Sequence, residues 1–102
     1  MPHLIGITPL ICLIINGSPP DHIEALVKLK VNINYVTIHG LTALMVAGRL
    51  KDTKSIHVLL KNGGSVLQNG GRRGNNFTAL HWCAVHGCIE EMKIMVRMCF
   101  VN

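Results

Sequence analysis

The stretch Gly-x-Thr-(Pro/Ala)-Leu recurs three times, as Gly6-Ile7-Thr8-Pro9-Leu10, Gly40-Leu41-Thr42-Ala43-Leu44 and, with asparagine for glycine, Asn76-Phe77-Thr78-Ala79-Leu80. Its threonines fall 34 and then 36 residues apart. A period in that range marks stacked supersecondary units, none of which buries its apolar face alone. Such arrays present a surface to partners through repeated elements. The repeat therefore directs the reading toward binding and away from an enclosed active site.

The rest of each unit keeps the same register. Two residues beyond the threonines stand Leu10, Leu44 and Leu80; five and six beyond stand Leu13-Ile14, Ala47-Gly48 and Cys83-Ala84. These positions form one face of a short helix, small in the second and third copies so that a neighbouring backbone can approach. The threonine is placed as its N-cap, and Pro9 suits the first helical position. A break follows at Gly17-Ser18-Pro19-Pro20, at Leu50-Lys51-Asp52 and at Gly87. A second helix is then predicted from the stripes Ile23/Leu26/Val27, Ile56/Leu59/Leu60 and Met92/Met95/Val96. The first copy reaches its stripe one residue late, because its turn holds an extra residue. Gly63-Gly64 suits a left-handed helix end. Two unpatterned links remain, Ile33–Leu41 and Val66–Phe77. The second is rich in Gly and Asn, so low conformational restraint and early proteolysis after Arg72 or Arg73 are expected there.

Helix, turn, helix, extended finger, repeated: this resembles the ankyrin repeat family. The fullest match is Thr78-Ala79-Leu80-His81-Trp82-Cys83-Ala84-Val85-His86-Gly87, similar to the family's T-P-L-H-x-A-A-x-x-G. Leu59-Leu60-Lys61-Asn62-Gly63 is close to its L-L-x-x-G, and Val31-Asn32-Ile33-Asn34 to its A-D-V-N. The resemblance covers nearly the whole chain. It implies an all-α, ankyrin-type helix-turn-helix solenoid with short, hairpin-like finger loops. The repeats would span about residues 3–36, 37–72 and 73–102 of a single domain. Departures from the pattern are Lys51 where the family has glycine, and bulky Leu13-Ile14 where it has small residues.

The resemblance further implies a non-enzymatic interaction module whose concave face binds a protein. Carried over by position, that face holds Ile38, His39 and Leu41 on one finger and Asn75 and Phe77 on the next. Arg49, Leu50, Val85 and His86 fall at the ends of the first helices. His39, Phe77, Arg49 and His86 have the anchor chemistry common at interfaces, although packing against a neighbouring finger would use the same positions.

Other chemistries are weaker. His81-Trp82-Cys83-Ala84-Val85-His86-Gly87-Cys88 offers two His and two Cys, but a structural zinc needs all four to converge. On a helix at about 100° per residue, His81 and Cys83 point roughly 200° apart. Packing is the expected role, with no metal, cofactor or catalytic residue. Glu90 and Glu91, expected to face solvent, do not complete a Cys/His nucleophile. Gly70-Gly71-Arg72-Arg73-Gly74 lacks the ending of a phosphate loop.

The chain's 102 residues suffice for one domain, and 49% apolar content with only 4% aromatics suits helices packed on helices. A net charge of +5 favours anionic partners. Charged residues at 15% and only Tyr35, Phe77, Trp82 and Phe100 as rings argue against nucleic acid. Arg72-Arg73 with Arg49, Lys51 and Lys54 form either a basic edge or a solubilising surface.

The apolar run Leu10–Ile15 is too short to span a bilayer, and Met1-Pro2-His3 is a poor start for a leader. Four cysteines without framework spacing suit free thiols in a reducing, intracellular setting, cytoplasmic or nuclear. Leu10–Ile15 is apolar all round and Met95–Val101 mostly so, whereas array ends need polar outer faces. Self-association through uncapped ends, or membership of a longer array with a structural role, is the alternative expectation.

Overall fold

Thr8, Thr42 and Thr78 each lie in extended backbone immediately before a helix. The computed structural model describes residues 8–100 and contains, among them, six α-helices and no strand. These are α1 (Pro9–Ile15), α2 (Pro20–Val27), α3 (Ala43–Arg49), α4 (Thr53–Lys61), α5 (Ala79–His86) and α6 (Ile89–Phe100). Thr8 Oγ1 accepts from the Ile11 N–H at 3.1 Å, and Thr42 Oγ1 from the Met45 N–H at 3.3 Å. At α5 the cap is closed from the other side, with the Thr78 N–H donating to His81 Nδ1 at 3.0 Å. Each cap satisfies a donor that the helix cannot.

The turns repeat as faithfully as the caps. Gly17, Lys51 and Gly87 occupy one register position beyond their threonines and share left-handed φ values of 71°, 56° and 75°. Lys51 thus adopts, as a lysine, the conformation that its two counterparts adopt as glycines. Lys30 and Gly63 follow the second helices with φ of 64° and 93°.

Helices α1, α3 and α5 pack side by side, as do α2, α4 and α6, and each first helix packs on the second helix that follows it. The result is two layers with α3 and α4 in the middle. Every residue from Thr42 to Gly48 is buried, as expected for a helix covered on three sides. Gly48 sets the approach of α5, since a Cβ there would lie 3.0 Å from Cys83 Sγ. The core is completed by Leu10, Ile14, Ile23, Ile56, Leu59 and Met95, each of which contributes about 1.5–3 kcal/mol by leaving water.

Several expectations from sequence need correction. α1 is not bare: Leu10, Ile11 and Ile14 are buried against α2 and α3, Cys12 and Leu13 are half-buried, and of the run Leu10–Ile15 Ile15 alone is exposed. Glu91 does not face solvent; it is 8% exposed, with its carboxylate 3.5 Å from His57 Nε2 on α4. The stripe of α6 is only partly covered, because α6 packs through Met95 while Met92 is half-buried and Val96 exposed. Leu80 is likewise half-buried, unlike Leu10 and Leu44. Met95–Val101 runs past the described residues at Val101.

The links are hydrogen-bonded turns. The Thr37 N–H donates to Leu41 O and the Gly40 N–H to Thr37 O, both at 2.9 Å. In the longer link the Gly70 N–H donates to Phe77 O at 2.9 Å, around a single 3₁₀ turn at Arg72–Gly74. Two of the three glycines expected to loosen this link instead pack it, and Gly71 stands open. Gly70 and Gly74 are buried, and a Cβ on Gly74 would meet the Gly40 carbonyl oxygen at 2.5 Å. Asn34 clasps the next unit, donating to Gly63 O at 3.2 Å and accepting from the Ser65 N–H at 2.6 Å.

Candidate interaction surface

The first helices and the Thr37–Leu41 turn together shape an open groove of about 310 Å³. Ile11 and Ile15 of α1 form one wall. Val46, Arg49 and Leu50, in and just after α3, form the other, and Thr37, His39 and Leu41 close the end. Ile15, His39, Arg49 and Leu50 are exposed, while Ile11 and Val46 are buried beneath them. The floor is aliphatic, and the polar groups stand at its edge.

Beside the groove runs a file of rings on α5 and the residue preceding its cap. Phe77 stacks on His81 with centroids 4.8 Å apart and meets Trp82 edge-on at 5.3 Å. Trp82 stacks on His86 at 6.1 Å and an interplanar angle of 8°. The Arg49 guanidinium lies 5.8 Å from the centre of the Trp82 ring, joining groove and file through a cation–π contact. The Trp82 Nε1–H is buried without an acceptor among the described residues. The indole is thus held by its faces rather than by its polar edge.

Of the residues expected on the binding face, His39, Leu41, Arg49 and Leu50 come together in the groove. Phe77 and His86 join the file of rings, half-buried and occupied with neighbours in the chain. Ile38, Asn75 and Val85 are exposed but belong to neither feature; Val85 is 62% exposed and Asn75 sits in left-handed backbone at φ 57°. Sequence reasoning missed Ile11, Ile15 and Val46 as groove residues, and Trp82 as the link between Phe77, His86 and Arg49. The signal for Trp82 was present: Trp82 and His86 stand one helical turn apart, where side chains meet.

The His/Cys run of α5 does not gather into one site. His81 is engaged with Thr78 and Phe77, whereas Cys83 is buried against Gly48 and Cys88 Sγ points to Gly48 O at 3.6 Å. Among the described residues, no three His, Cys, Asp or Glu side chains are placed to hold a metal. Burial pushes the Cys83 thiol up to about 12, reinforced by Cys88 beside it and by Glu91. A thiol held neutral in this way is a poor nucleophile at ordinary pH. No helix among the described residues is long and apolar enough to cross a membrane. In comparison with known proteins, no family model and no curated protein matches the chain.

Proposed function

We propose that this chain is a non-catalytic protein-interaction module of three ankyrin-type repeats. Its partner is a protein, bound on the face made by the finger turns and first helices. The observation that carries the reading is the convergence of His39, Leu41, Arg49 and Leu50 on one apolar groove. The repeat reading is supported by the cap threonines and by the shared left-handed position of Gly17, Lys51 and Gly87. The repeats run over about residues 3–36, 37–72 and 73–102, no cofactor is required, and the working place is inside the cell.

A second reading rests on α6. Ile89, Val96, Met98 and Phe100 are all exposed there, a pattern suited to packing against a further repeat or a second copy. In that reading the chain has an assembly role as part of a longer array.

The test is a selection of binders to the whole chain from a random-sequence polypeptide display library. Binders should lose affinity for Ile15→Asp and Leu50→Asp variants in the groove and keep it for Lys28→Glu, at the end of α2, and Lys93→Glu on α6. The opposite pattern would move the binding face to the other layer.

A further inference from the structure

Acidic residues are confined to one of the two layers, whereas basic residues stand in both. All five carboxylates of the chain, Asp21, Glu24, Asp52, Glu90 and Glu91, lie on second helices or at the N-cap of α4. The four ion pairs among the described residues, Lys28–Glu24, Lys61–Glu24, His57–Glu91 and Lys93–Glu90, lie in that layer too. The first helices and the two finger links hold no acid at all. They do hold Arg49, Arg72 and Arg73, none paired with a carboxylate among the described residues. A cationic face with no internal counter-charge attracts anionic partners over about 8–10 Å, the screening length near physiological salt.

The positive charge adjoins carbon rather than water alone. Arg49 stands on the wall of a groove whose remaining surface comes chiefly from Ile11, Ile15, Val46 and Leu50. We propose that the occupant of this groove is a segment of a protein partner with a large aliphatic anchor flanked by Asp or Glu. The anchor buries against Ile11, Ile15, Val46 and Leu50, and an adjacent carboxylate pairs with Arg49. This deepens the interaction-module reading and rests on it.

A protein segment fits better than a nucleic acid. A sugar–phosphate strand would satisfy Arg49 but leave the aliphatic walls uncovered. Base stacking needs free ring faces. Here Phe77 is stacked on His81, and Trp82 is engaged by His86 and Arg49.

The test titrates the full chain with four fluorescein-labelled probes. They are the peptide Glu-Asp-Leu-Leu-Asp-Glu, its form with alanine for leucine, its form with lysine for every acid, and a single-stranded oligothymidylate. Polarisation reads affinity, and amide shifts in NMR spectra locate the site. The acidic leucine peptide should bind with shifts at Ile11, Val46 and Leu50, and either substitution should weaken it about tenfold or more. Raising salt should weaken it further, and Arg49→Glu should turn the preference toward the lysine form. If Arg49→Glu melts early, Arg49→Gln should still abolish the preference for acid.

Equal binding of the acidic and lysine forms at the groove overturns the charge inference and leaves the interaction-module reading standing. Tighter binding of the oligonucleotide replaces the protein partner with nucleic acid. Shifts confined to α2, α4 and α6 overturn both readings. Failure of all four probes overturns the inference alone, because the display selection tests the face independently.

Discussion

Gly40 and Gly74 meet backbone to backbone: a Cβ on Gly74 would lie 2.5 Å from the Gly40 carbonyl oxygen and 3.1 Å from its Cα. The contact joins the turn before α3 to the link before α5, so the two fingers are spaced by glycine rather than by side chains. A glycine in a flexible loop with ordinary φ would gain about 0.4–1 kcal/mol on replacement by alanine, through the unfolded chain. Gly74→Ala is expected to do the reverse and cost about 1–3 kcal/mol, the usual range for an overpacked contact. The sign of the change in urea titration decides between a packed and a loose link.

Lys51 supplies a second test of backbone origin. Its φ of 56° falls in the left-handed region, where Gly17 and Gly87 stand in the other two units. A residue with a Cβ is disfavoured there by about 1–2 kcal/mol, part of which glycine returns through its freer unfolded state. Lys51→Gly is therefore expected to stabilise the chain by about 0.5–1 kcal/mol. A Lys51→Ala control should change little, since it keeps the Cβ. If both variants behave alike, the lysine side chain and not its backbone matters at this turn.

What could be read beforehand follows from the range of the forces involved. Caps are local, so Thr8 and Thr42 carried their structural meaning in the sequence, whereas Lys51 read there only as a departure from glycine. The partial covering of Leu80, Met92 and Val96 was not legible, because a stripe records which face is apolar and not whether anything lies against it. Gly70 and Gly74 misled for a related reason: a glycine that permits close approach and one that permits motion look identical in a sequence. Glu91 was misjudged because its burial depends on α4 and His57, contributed by the preceding unit. The candidate face divides along the same line. His39, Leu41, Arg49 and Leu50 came from the resemblance to ankyrin repeats, carried over by position, whereas Ile11, Ile15 and Val46 join them only once α1 and α3 are placed side by side.

Cys83 makes stability depend on pH at the alkaline end. In the unfolded chain its thiol ionises near the ordinary value of 9.0, whereas in the folded chain burial holds it protonated to about 12. Above the ordinary value the unfolded state therefore binds fewer protons than the native state, and stability falls as pH rises between the two. Below that window the contribution is complete and constant. Cys83→Ala should flatten the decline between about pH 9 and pH 11, measured as the difference between variant and parent so that lysine titration cancels. In the native chain at neutral pH, alkylation should reach the half-buried Cys12 and Cys99 before Cys83. A Cys83 that reacts first, or a variant with the parent's pH slope, would show that the thiol is more open than its place against Gly48 allows.

The exposed side of α6 leads to the last prediction. Ile89, Val96, Met98 and Phe100 are 54%, 42%, 53% and 67% exposed, and Ile89, Met92 and Val96 line a shallow apolar depression with Lys93 and Arg97. Apolar surface of this extent beside an otherwise packed layer associates with other protein surface or promotes aggregation. The other end differs, since α1 has most of its apolar residues covered, so one face and not two drives association. The chain is expected to self-associate as concentration rises, with a melting temperature that rises with it. An Ile89→Lys, Val96→Glu double variant should sediment as a monomer while keeping the helical content of the parent, because neither residue is in the core. If the parent itself sediments as a monomer at every concentration, α6 does not drive assembly in this chain. The groove between α1 and α3 would then be the stronger candidate for the working surface.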